Sequence, residues 1–124
     1  MTKPIHILLI EDEAWLAEQF QRTLGAAGFA VRTVSNGQVA MELIDDEVPD
    51  VIVLDVLLTG GTGITLLHEL QSYTDTAAIP IVLCTNMAAD IHLDTVAPYG
   101  VQRILDKTTM QLEDIVTAVK SVTL

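Results

Sequence analysis

Short, nearly unbroken apolar runs alternate along this chain with segments of helical period, and that alternation restricts the fold more than any other feature. The runs Ile5 to Ile10, Val51 to Leu54 and Ile79 to Cys84 are rich in β-branched residues and leucine. Continuous apolar character is what a strand covered on both faces requires. Phe29 to Val34 and Val101 to Leu105 are mixed in polarity and suit the edges of a sheet. Helical segments fall between the runs. Leu16, Phe20 and Leu24 recur every fourth residue, and Gly28 supplies a stop. Ser35 and Gln38 have capping-box spacing ahead of Val39, Leu43 and Ile44. Thr108 and Gln111 have the same spacing ahead of Leu112, Ile115, Val116 and Val119. Gly63 opens a segment with Leu66, Leu67 and Leu70 on one face. Ala88 to Val96 predicts a short helix with the weakest pattern of the set.

Strand and helix thus alternate five times. Right-handed crossovers between the strands predict an α/β fold, a doubly wound five-stranded parallel sheet in a flavodoxin-like three-layer sandwich. The strand order expected at this length is 2-1-3-4-5. At 124 residues the chain fits one domain, 1–124, and half of its residues are hydrophobic, enough for a core without disulfides. Its single cysteine suits a reducing compartment. Met1-Thr2-Lys3-Pro4 has no signal-peptide layout, so a cytoplasmic location is expected. No apolar run has the length of a membrane span. A formal charge of −11 with only six Lys and Arg argues against nucleic-acid binding through this domain. Asp45-Asp46-Glu47 reads as a solvated helix end.

In such folds ligands bind beyond the carboxyl ends of the strands. Those ends carry Glu11-Asp12-Glu13 after strand 1, Asp55 after strand 3, Thr85 after strand 4 and Lys107 after strand 5. Taken singly, several have plain structural readings. Asp12 suits a helix N-cap, and Glu13 a favourable first-turn charge. Asp55 is harder to dismiss, because a carboxylate between Val51-Ile52-Val53-Leu54 and Val56-Leu57-Leu58 is costly to bury unpaired. Lys107 stands before an expected helix N-terminus, where the dipole disfavours a cation unless an anion is close. Together the group describes chemistry. Clustered carboxylates repel, and a hard cation such as Mg²⁺ (or Mn²⁺) relieves that repulsion through oxygen ligands. One Asp oxygen is then a nucleophile toward phosphorus. A hydroxyl and an ammonium remain for the oxygens of the transferred group.

At these residues the chain resembles the receiver domain of two-component response regulators. The resemblance runs from Lys3 to about Val122. It rests on Ile7-Leu8-Leu9-Ile10-Glu11-Asp12-Glu13, Pro49-Asp50-Val51-Ile52-Val53-Leu54-Asp55, Gly63, Pro80-Ile81-Val82-Leu83-Cys84-Thr85 and Lys107. It implies that Asp55 is the phosphoacceptor. Asp12 would be the direct Mg²⁺ ligand, helped by Glu11 through water and completed by Asp55 and the Leu57 backbone carbonyl. Thr85 and Lys107 would sense the phosphoryl group. The donor would be a sensor histidine kinase or a histidine phosphotransfer protein, and the output a contact with a downstream protein. The resemblance leaves dimerisation open, and the face of helix 4, strand 5 and helix 5, the family's usual surface, is where a homodimer would form. Such a module phosphorylates and dephosphorylates only itself and is not otherwise an enzyme.

Four residues depart from the family pattern. Thr59 and Thr108 stand where proline is frequent, so the Lys107–Thr108 bond is expected to be trans. Asn86 follows Thr85 where a small residue is usual, and Ile104 replaces the common switching aromatic. Thr85, Asn86 and Ile104 therefore form an unusual switch set. Ile104 is expected to stay packed while the segment around Ala88 to Val96 responds. Apolar Leu57 and Met87 near the rim would exclude water and prolong the phosphorylated state. A flavodoxin would need a phosphate loop where the acidic triplet stands, and a dehalogenase-type phosphatase a second Asp at position 57. The remaining alternative is a degenerate receiver that binds partners constitutively. Cys84 reads as a small buried hydrophobe and Trp15 as helix packing, while His6, His68 and His92 share no ligand spacing.

Overall fold

A computed structural model of the chain describes residues 3–58 and 61–123, with residues 57, 58, 61 and 62 as backbone only. Thr59 lies outside the described residues. The three apolar runs and the two mixed segments form the strands β1 (His6–Ile10), β2 (Ala30–Val34), β3 (Val51–Leu54), β4 (Ile81–Thr85) and β5 (Val101–Asp106). All neighbours pair in parallel, in the order β2-β1-β3-β4-β5. The two mixed segments occupy the two edges, and the three continuous runs are covered on both sides.

The side-chain period of two divides the central strands between two cores. Leu8, Ile10, Ile52 and Leu54 face helices α2 (Gly37–Asp46), α3 (Gly63–Gln71) and the short α4 (Leu93–Val96), joining Ala40, Ile44, Leu66, Leu67, Leu70 and Val96. Ile7, Leu9, Val51 and Val53 face α1 (Ala14–Ala26) and α5 (Glu113–Thr123), joining Phe20, Leu24, Ile115 and Val119. The result is the three-layer α/β sandwich that the alternation predicts. No helix among the described residues is long and apolar enough to cross a membrane.

Several local expectations change. Gly28 does end α1, at φ +98°, a conformation L side chains rarely adopt. The cap of α2 is Asn36 rather than Ser35. Its Oδ1 accepts from the Val39 N–H at 2.9 Å, so the Ser35–Gln38 box does not form. Thr108 caps no helix either. Its N–H and hydroxyl both donate to Asp106 Oδ1, and α5 starts five residues later, where the Gln111 N–H donates to Asp114 Oδ2. Ala88 to Val96 is not one helix. A 3₁₀ turn at Ala88–Asp90, α4 and a second 3₁₀ turn at Ala97–Tyr99 replace it, and none has a side-chain cap. A single helical turn, Thr74–Ala77, precedes β4, which begins at Ile81 rather than Ile79. The loop after β3 contains a two-residue antiparallel hairpin, Leu57–Leu58 with Gly61–Thr62, that the apolar pattern does not signal.

Candidate functional site

Backbone hydrogen bonds carry the strand ends one residue beyond the sheet and fix the site there. The Glu11 N–H donates to Val34 O at 3.0 Å, the Asp55 N–H to Ile10 O at 3.2 Å and the Lys107 N–H to Thr85 O at 3.0 Å. Each side chain therefore starts from a rigid rim at the carboxyl edge. One carboxylate oxygen each from Glu11, Asp12 and Asp55 lies within 4.8 Å of the other two. Glu11 and Asp55 are 4% and 7% exposed, while Asp12 reaches solvent. Lys107 crosses from β5 to bridge the two buried acids. Its Nζ lies 2.8 Å from Asp55 Oδ2 and is also in contact with Glu11 Oε1.

The plain structural readings of the acids fail here. The N-cap of α1 is Glu13, not Asp12, and its side chain makes no cap hydrogen bond. Glu13 instead donates its N–H to Glu11 Oε2 at 3.2 Å, so the triplet is folded around the site. Lys107 is separated from α5 by a turn. The anion it answers is the Glu11–Asp55 pair, and the helix dipole is not involved. No described peptide bond is cis, so Lys107–Thr108 is trans as expected.

Burial pushes the Glu11 carboxyl above its ordinary range, against the opposing pull of Lys107 and the Glu13 N–H. For Lys107 burial favours the neutral amine, but Asp55 and Glu11 outweigh it and hold the ammonium above its ordinary value. Three carboxylates against one ammonium leave negative charge in excess, and every donor is a hard oxygen. That set fits a hard divalent cation.

Thr85 is fully buried, and its Oγ1 accepts the Met87 N–H at 3.1 Å, tying the loop after β4 to the strand end. Asn86 is exposed. Ile104 is half-buried and packed against the core beneath α2 to α4. The Leu57 backbone sits in the small hairpin, opposite Thr62. Trp15 does not pack as expected. It is 65% exposed at the start of α1, three residues beyond Asp12. Two features escape a reading of single strand ends. One is the contact of Lys107 with Glu11. The other is the first residue of α3, Gly63, whose N–H donates to Val56 O at 2.7 Å. A glycine opening a helix eight residues after Asp55 was the available signal.

A family model for the response regulator receiver domain matches residues 7–120. The chain belongs to that family. The transcriptional regulatory protein BaeR of Escherichia coli O6:H1 (strain CFT073) is 35% identical over 85 residues, covering 68% of this chain and 34% of BaeR. The signal receiver domain of a signal transduction histidine kinase from Syntrophus aciditrophicus is 26% identical. It has a TM-score of 0.80 and covers 95% of this chain and 89% of that one. A CheY-like receiver domain from Methylobacillus flagellatus, 20% identical, shares the fold with a TM-score of 0.82 over 97% of this receiver and 99% of its own chain. The receiver described here spans roughly a third of the length of the curated relatives it matches.

Proposed function

We propose that this receiver accepts a phosphoryl group on Asp55 and that a divalent cation is required. The observation that carries the proposal is one cluster. Asp55 ends an apolar strand yet lies within 4.8 Å of two further carboxylates and 2.8 Å from the Lys107 ammonium. So much charge at a nearly buried point has no packing role. A carboxylate oxygen of Asp55 attacks the phosphorus of a phosphohistidine, the P–N bond breaks, and an acyl phosphate forms. No general base is needed for an ionised carboxylate. Mg²⁺ (or Mn²⁺) would be held by Asp12, Asp55 and the Leu57 carbonyl, with Glu11 acting through water, and supplies charge neutralisation at the transferring oxygens. Lys107 turns from the Asp55 carboxylate to a phosphoryl oxygen. The Thr85 hydroxyl takes another on releasing the Met87 N–H, which couples the loop at Asn86 to the site.

The donor is a sensor histidine kinase or a histidine phosphotransfer protein, and the output is contact with a downstream protein. The acidic site serves this chain's own modification and turns over no separate substrate. The 1–124 chain works as a single receiver unit, and the face of residues 88–99, β5 and α5 is available for a homodimer. Intact mass after incubation with acetyl phosphate and Mg²⁺ tests the central step. One phosphoryl adduct is expected on the wild type and none on Asp55→Asn. Equal labelling of both proteins would contradict it, and no labelling of either would favour a degenerate receiver.

A further inference from the structure

We propose that Gly63 is a positioning residue for Asp55, resting on the reading of Asp55 as the phosphoacceptor. The two sheet ladders that hold β3 end at Leu54, paired with Ile10 on one side and Leu83 on the other. Asp55 lies one residue further on. Its N–H is still tied to β1 through Ile10 O. On its other side the chain is held by the Gly63 N–H, which donates to Val56 O at 2.7 Å. The start of α3 thus clamps Val56, the residue that follows the nucleophile.

The clamp requires a residue without a side chain. A Cβ at position 63 would stand 2.6 Å from Asp55 O, 2.7 Å from Val56 Cα and 3.2 Å from Val56 C. All three are backbone atoms, so no side chain can swing away to make room. Retreat of α3 is opposed by Leu66, Leu67 and Leu70, each at most 2% exposed in the core. Val56 is itself buried on the same face. The Asp55–Val56 peptide is then the part that shifts, and it carries the carboxylate away from Lys107, Glu11 and Asp12. In-line transfer tolerates displacements well below an ångström, and about 1 Å can cost on the order of a hundredfold in rate. Gly25 and Gly37 lack this feature. At Gly25 an added Cβ meets nothing within 4 Å, and at Gly37 only Leu66 Cβ at 3.8 Å.

The test uses the full chain with acetyl phosphate at saturating donor and Mg²⁺, at a temperature where each variant is folded by circular dichroism. The rate of adduct formation is read by intact mass. Gly63→Ala is expected to react at least about tenfold more slowly than wild type. Leu70→Val, which loosens the same helix without touching Asp55, and Gly25→Ala are expected to stay within about twofold. Because donor and cation are saturating, a general loss of stability or affinity does not move this rate. A Gly63→Ala protein that reacts as fast as Leu70→Val overturns the proposal. One that does not fold also overturns it, since the glycine would then serve the fold as a whole. A wild-type chain that takes no adduct removes the phosphoacceptor reading itself, and this inference with it.

Discussion

Lys107 does for the site what a cation would otherwise have to do. Its side chain is 8% exposed, and its ammonium touches two acids whose side chains are 2% and 8% exposed. Removing one partner of a buried ion pair leaves the other charges uncompensated, which is more costly than the pair is stabilising. Lys107→Ala should therefore lower the melting temperature in EDTA by roughly 5 °C or more. Millimolar Mg²⁺ should restore much of that loss, because a ligand of the folded state alone stabilises it. A scanning-calorimetry trace unchanged by the substitution would contradict the bridge. Cys84 gives a second check at this scale. Burial pushes its thiol up to about 12 from 9.0, and its Sγ lies 3.4 Å from Met110 Sδ. Folding favours the neutral thiol, so its contribution is complete below pH 9 and is lost as pH rises toward 12. At pH 8 the native protein should resist a disulfide reagent such as DTNB, and urea-unfolded protein should react within minutes. Rapid labelling of the native state would overturn this reading. The buried thiol was legible in the sequence, because Cys84 ends an apolar run. The exposure of Trp15 was not, since an aromatic residue on the first turn of a helix has no local signal for the face it takes.

Elements were legible where one physical requirement dominated. Strands buried on both faces need continuous apolar runs, and all five appeared at their expected places within two residues. Helix starts were less legible because several residues compete for each cap. Asn36 won over Ser35, and Asp114 closed on Gln111 in place of Thr108. Asn36→Ala should destabilise the receiver by about 1 kcal/mol in urea titration, while Ser35→Ala should be nearly neutral. The opposite ranking would restore the other cap. The weak pattern from Ala88 to Val96 marked a segment that resolves into three short turns, with Val96 alone buried among their residues. Few buried contacts mean low local stability. Amides from residues 88 to 99 should exchange with deuterium well before those of β1, β3 and β4. Phosphorylation should change exchange there while leaving Ile104 protected. Protection of this segment equal to that of the central strands, in both states, would remove it as the responsive element.

Across the whole molecule, the sheet gathers chemistry that the sequence scatters. Glu11, Asp55 and Lys107 are far apart in the chain, yet hydrogen bonds from adjacent strand ends bring them to one rim. That meeting was legible because strand order and the carboxyl-end rule fix it together. What the strand pattern left out was the support from outside the sheet. Lys107 reaches Glu11 as well as Asp55, and α3 presses its first residue against the Asp55 backbone. Both depend on side-chain reach and close approach, which no periodicity encodes. The central claim is that Asp55 carries the phosphoryl group. Reductive trapping tests it most directly, because borohydride converts an aspartyl phosphate to homoserine. Tandem mass spectrometry of receiver treated with acetyl phosphate, Mg²⁺ and borohydride should find homoserine at position 55 and at no other residue. Homoserine at Asp12, or an unmodified Asp55 in fully folded protein, would contradict the account.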